Sequence, residues 1–130
     1  MRAALMVLLL GAGAAQAQIA PADGKTIFSK NCAACHQASG AGIPGAFPAL
    51  KANTFLQGEP DPVIATVLKG RAGMPAFAAS LDDAQLATVL TYARSAWGNK
   101  AGAISAEQSA AGRNAANAPA SDQPKSTIIH

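Results

Sequence analysis

Apolar side chains recur along this chain at helical rather than strand spacing, in short bursts separated by segments rich in glycine and proline. The first burst runs from about Asp23 to Cys32, with Ile27 and Phe28 as its apolar contribution and Asp23 placed as N-cap. The stretch ASGAGIPGAFPAL holds too many breakers for regular structure, and a short helical segment is expected from about Ala49 to Leu56. In EPDPVIATVLKGR, Val63, Ile64, Val67 and Leu68 form a stripe at 3.6-residue spacing. Asp61 is expected to cap it, Pro62 suits the first helical position and Gly70 stops it, with Lys69 and Arg71 at the negative end of the dipole.

The strongest pattern is SLDDAQLATVLTYARSAWG. Leu86, Val89, Leu90, Ala93 and Trp97 share one face, Ser80 and Asp83 are spaced like a capping box, and Gly98 ends the segment. After Gly98 the chain turns to Ala, Asn, Gln, Ser and Pro. Ser105 and Gln108 are spaced to cap one more short helix, about 106–114, and the low hydropathy from Ala115 to His130 predicts a disordered tail. No segment reads convincingly as a strand, so the fold class is all-α.

The N-terminus changes the count of what folds. In MRAALMVLLLGAGAAQAQ, Arg2 precedes an apolar run, and Ala15-Gln16-Ala17 matches a signal-peptidase site, which predicts cleavage after Ala17. An uncleaved anchor would need a longer apolar run, about 20 residues. No later segment is apolar enough to span a bilayer, so no transmembrane segment is expected in the mature chain. An exported domain is expected, periplasmic in a host with two membranes. The expected organisation is a signal peptide at 1–17, one domain at 18–98 and an extension at 99–130.

Composition narrows the function classes. The mature chain carries nine Lys and Arg against seven Asp and Glu, scattered and never in a run, which excludes a nucleic-acid footprint. The hydrophobic fraction is 50%, but alanine and the leader inflate it, and large apolar side chains are few. So small a domain usually needs a disulfide, a metal or a cofactor to hold it together.

The candidate chemistry lies in CAACH, with Cys32, Cys35 and His36. A thioredoxin-type motif would follow a strand, and none is present. A structural disulfide would close a very small loop and leave His36 unexplained. Structural zinc takes four ligands, and the only other histidine is the terminal His130. Covalent haem attachment accounts for all three residues, with thioethers from Cys32 and Cys35 and an axial iron ligand from His36. The mature chain has one methionine, Met74, 38 residues after His36 in GRAGMPAFAAS. Methionines usually fill gaps in cores, but one on a Gly/Pro loop is a poor core candidate, and Met74 is read as the second axial ligand.

The pattern from about Pro21 to Trp97 resembles the class I c-type cytochromes. Gly24 and Phe28 ahead of CAACH are similar to the family's first helix, whose glycine lets the last helix cross closely, with Leu90 and Tyr92 among the residues that meet it. GAFPAL resembles the family's loop, which implies that the Pro48 carbonyl accepts the second ring proton of His36. GMPAF resembles the methionine-ligand loop. The sequence departs from many relatives at Ala49, where they carry a second proline.

With VLTYARSAWGN, these motifs look most like the single-haem domains of cytochromes serving periplasmic dehydrogenases of alcohols and sugar acids. The resemblance implies a small cytochrome c fold, with three to five helices wrapped around one covalently attached haem c. It further implies a one-electron carrier rather than an enzyme, fed by a dehydrogenase and discharging to an oxidase or another cytochrome. The competing readings are a haem peroxidase or gas-binding protein, which needs an open iron, and a haem-free thiol oxidoreductase. Phe47, Phe55, Phe77, Tyr92 and Trp97 are expected to form an apolar shell, and Lys30 and Arg71 are candidate rim charges.

Overall fold

The computed structural model describes residues 22–119, so the expected signal peptide at 1–17 and most of the expected disordered tail, from residue 120 on, lie outside the described residues. Among the described residues five helices follow one another: α1 (Gly24–Asn31), α2 (Ala33–His36), α3 (Pro60–Lys69), α4 (Asp83–Ser95) and α5 (Ala106–Asn117). Among the described residues the only β pairings are two isolated bridges, Ile43 with Phe47 and Arg71 with Met74.

α1 begins where Asp23 accepts the Thr26 amide at 2.8 Å, as a residue with a short carboxylate should at an N-cap. It buries Ile27 and Phe28 against α4. Gly24 makes the crossing close: a Cβ there would stand 2.5 Å from Tyr92 Cβ and 2.7 Å from the Thr88 carbonyl oxygen. Tyr92 thus meets the glycine as expected, joined by the Thr88 carbonyl, while Leu90 lies in the same core cluster as Ile27 and Phe28 of α1. Phe28, Tyr92 and Trp97 then form a three-ring cluster with centroids 5.1 to 5.7 Å apart.

Several boundaries differ from the sequence reading. α3 starts one residue before its expected cap, with Glu59 at the N-cap and Pro60 as first residue; Asp61 lies inside the first turn. The capping box of α4 is Asp82 with Gln85, both reciprocal bonds formed, rather than Ser80 with Asp83. α4 ends at Ser95, because Trp97 and Gly98 both adopt positive φ, and Trp97 Nε1 donates to the Ala38 carbonyl at 2.9 Å. Residues 49–56 form turns instead of a helix. There the Asn53 side chain takes over local bonding: Nδ2 donates to the Ala49 carbonyl and Oδ1 accepts the Leu56 amide.

α5 carries the expected Ser105–Gln108 capping box but continues to Asn117, so Ala115 to Asn117 are helical rather than disordered. The helix packs on both α3 and α4. Gly112 meets Ile64 of α3 so closely that no side chain fits between them. Ile64 and Leu86, both fully buried, join Leu68, Val89, Leu90 and Ile104 in the core.

Candidate functional site

Cys32 is the N-cap of the single turn of α2 and Cys35 lies within it; the turn closes when the His36 amide donates to the Cys32 carbonyl at 2.9 Å. The turn places both thiols and the imidazole on one short, rigid element. The two sulfurs are not joined in a disulfide, and both residues are half-buried. Burial, with Cys35 adding to it, pushes the Cys32 thiol up to about 11. A redox-active C-x-x-C needs the reverse, a thiol pulled down toward neutrality. The environment therefore disfavours the thiol-oxidoreductase reading.

His36 is buried, and its Nδ1 lies 2.9 Å from the Pro48 carbonyl oxygen. A carbonyl only accepts, so Nδ1 carries the proton and the lone pair is at Nε2. Among the described residues Nε2 has no hydrogen-bond partner. This is the arrangement of a metal-ligating histidine, with one ring nitrogen engaged to fix the tautomer and the other left as donor. The loop carrying Pro48 is set by turns from Gly40 to Lys51. Gly42 donates to the His36 carbonyl at 3.0 Å, Ile43 and Phe47 bond in both directions, and the Gly40 carbonyl accepts from Leu50 and Lys51.

Met74 is held by a separate element. α3 ends at Gly70 with φ of 75°, and the chain turns at once into a hairpin in which Arg71 and Met74 exchange backbone bonds of 3.1 and 2.9 Å. Ala72 at its tip has φ of 50°, a left-handed conformation that a residue with a Cβ enters at a cost. After Met74 the amides of Phe77 and Ala78 bond back to Val67 and Leu68, among the last carbonyls of α3. His36 and Met74 thus stand on two independent supports, α2 and the α3 terminus.

The chain's own surface fits a flat apolar cofactor. Ile43, Phe47 and Phe55, all on the loops between α2 and α3, remain 36 to 44% exposed, an apolar area that a porphyrin would cover. Phe77, Tyr92 and Trp97 pack against the core instead. Of the candidate rim charges, Lys30 is exposed, and the Arg71 guanidinium lies 5.9 Å from the centre of the Phe55 ring.

Two structural residues escaped the sequence reading. Arg94 is buried on α4, donating to the carbonyls of Leu56, Gly58 and Gly102 at 2.7 to 2.9 Å. Its signal was a cation at the next i+4 step after Leu86 and Leu90, on the buried face. Asn99, also buried, ties Ala52, Leu50 and Ala93 together through its side-chain amide. Nothing in its local pattern marks it, because its partners in the 50s come from tertiary structure.

No helix among the described residues is long and apolar enough to cross a membrane. The family model described as "Cytochrome C oxidase, cbb3-type, subunit III" matches residues 19–92, which include CAACH, Pro48 and Met74. A cytochrome c-552 of Thermus thermophilus is 37% identical over 115 residues, covering 76% of this chain and 74% of that protein. The cbb3-type cytochrome c oxidase subunit CcoP of an Azospirillum species is 39% identical over 87 residues, 61% of this chain. The gluconate 2-dehydrogenase cytochrome c subunit of Pantoea cypripedii is 34% identical over 91 residues, 60% of this chain. The matched region spans only 29% and 21% of those last two proteins. From its matched residues and its all-helical fold, the chain belongs to the cytochrome c family, whose domain carries covalently bound haem c.

Proposed function

We propose that this protein is an exported single-haem electron carrier whose iron is held by His36 and Met74, with Cys32 and Cys35 as the thioether anchors. The observation that carries the reading is the 2.9 Å bond between His36 Nδ1 and the Pro48 carbonyl, which leaves the Nε2 lone pair on the residue directly after Cys35. When bound, haem supplies a one-electron ferric/ferrous couple. The chain's part is to hold that couple. α2 delivers the anchors and one ligand together, and the hairpin after α3 offers a soft thioether sulfur, which favours the ferrous state and raises the potential. Ile43, Phe47 and Phe55 give the ring system an apolar bed that excludes water.

On this reading the protein is a carrier rather than an enzyme: it accepts one electron and passes it on. The dehydrogenase and oxidase subunits among the relatives support a dehydrogenase as donor and an oxidase or another cytochrome as acceptor. That exchange would take place in the periplasm, after cleavage following Ala17. The comparisons lend no support to the peroxidase or gas-binding alternative. The test is expression in a host with a cytochrome c maturation system, followed by haem staining of a denaturing gel and a pyridine haemochrome spectrum. A stained band at the protein's mass, with a c-type spectrum and reversible one-electron titration, is expected. A correctly exported but colourless protein would overturn the reading.

A further inference from the structure

We propose that Arg113, on the C-terminal helix, is a positioning residue for the Met74 hairpin; this rests on the reading of Met74 as an iron ligand. Between the hairpin and α4 the chain runs from Pro75 to Asp82 with no helix of its own. Arg113 fills that gap. Its Nη1 donates to the Ala78 carbonyl at 2.6 Å, its Nη2 to the Leu81 carbonyl at 2.7 Å, and its Nε to Asp83 Oδ1 at 2.7 Å. One planar guanidinium therefore joins two carbonyls of the hairpin's exit segment to the first residue of α4. A lysine, with a single nitrogen, cannot reproduce that fork.

The helix bearing Arg113 is itself tied down. At its N-terminal side the Thr91 hydroxyl and Ile104 bond in both directions, and Arg94 grips the Gly102 carbonyl. At its far side Gly112 rests on Ile64 of α3, the helix whose late carbonyls receive Phe77 and Ala78. α5 thus fastens the hairpin's exit to both elements that the hairpin connects, α3 and α4. The hairpin itself is closed by only two backbone bonds and carries a strained Ala72, so it depends on such outside support. Arg113 lies beyond residues 19–92, the part matched by the family model. It touches neither ligand; it acts through the backbone between Ala78 and Asp83.

The test uses full-length holoprotein with Arg113→Gln and Arg113→Lys, alongside Met74→Ala and the core variant Val89→Ala. Imidazole is titrated into the ferric protein well below its melting temperature, and the weak far-red sulfur-to-iron charge-transfer band is recorded. Arg113→Gln is expected to raise imidazole affinity about tenfold and weaken the band, with Arg113→Lys in between, as loss of charge-assisted bonds implies. Val89→Ala should lower the melting temperature without moving either signal. Wild-type band and affinity in Arg113→Gln would overturn the proposal, as would an equal affinity gain in Val89→Ala. If wild-type protein lacks the band and binds imidazole like Met74→Ala, the ligand reading itself has failed, and this proposal falls with it.

Discussion

Gly42 lies directly against the carbonyl group of Pro48: a Cβ built on Gly42 would stand 2.6 Å from the Pro48 oxygen, the same oxygen that lies 2.9 Å from His36 Nδ1. Gly42 also has φ of 64°, where a side chain is strained whatever the space. A methyl group there has to displace the carbonyl that fixes His36.

Gly42→Ala is therefore expected to destabilise the protein by about 2 kcal/mol through strain and displaced backbone. It should also loosen the His36 bond, make the ring less basic and raise the reduction potential. Thermal melting and potentiometric titration check the two effects. An unchanged potential together with an unchanged melting temperature would show that the carbonyl does not control the ring.

Arg94 calls for a different expectation, because it is a buried cation whose hydrogen-bond partners are three carbonyls rather than a carboxylate. Arg94→Lys keeps the charge but cannot span Leu56, Gly58 and Gly102. A loss of about 2 kcal/mol is expected, a fall of about 10 °C in melting temperature for a domain of this size. A lysine variant that melts within a degree or two of wild type would mean that the geometry of the fork contributes nothing.

How far the sequence could be read depended on how local the determining physics is. CAACH, the Met74 loop and the stripe of α4 are short-range patterns, and each is visible in the sequence alone. The Ser105–Gln108 box likewise needs only its own residues. Helix ends were less legible: the box read at Ser80 and Asp83 forms instead at Asp82, because its partner Gln85 reaches back to complete it. The length of α5 was missed for a further reason. Its alanines and Gly112 look too weakly apolar to pack, yet small residues are what lets the helix lie against Ile64 and bring Arg113 to Asp83. Contacts between residues thirty or more positions apart, such as Arg94 with Leu56, leave little trace in a local pattern.

Ser109 offers a check on that packing. Its hydroxyl is fully buried on α5 and has no hydrogen-bond partner among the described residues. Removing such a group takes away a desolvation cost, so Ser109→Ala should be neutral or stabilising by up to about 1 kcal/mol. A clear loss of stability in chemical denaturation would mean that the hydroxyl is paired in solution and that α5 seats differently.

The ligand assignment is tested most sharply at Met74 itself. With sulfur on the iron, the ferric protein should be low-spin and show the far-red charge-transfer band. Met74→Ala should abolish the band, lower the potential and open the iron to cyanide or carbon monoxide, since thioether ligation is what favours the ferrous state. Met74→His should restore a closed, low-spin iron, but at a potential below wild type, because imidazole nitrogen favours the ferric state more than sulfur does. The pair of variants separates occupancy of the sixth position from the identity of its donor. If wild-type protein already binds carbon monoxide as fast as Met74→Ala, the iron is open by design. A carrier would then be the wrong description, and a ligand-binding haem protein the right one.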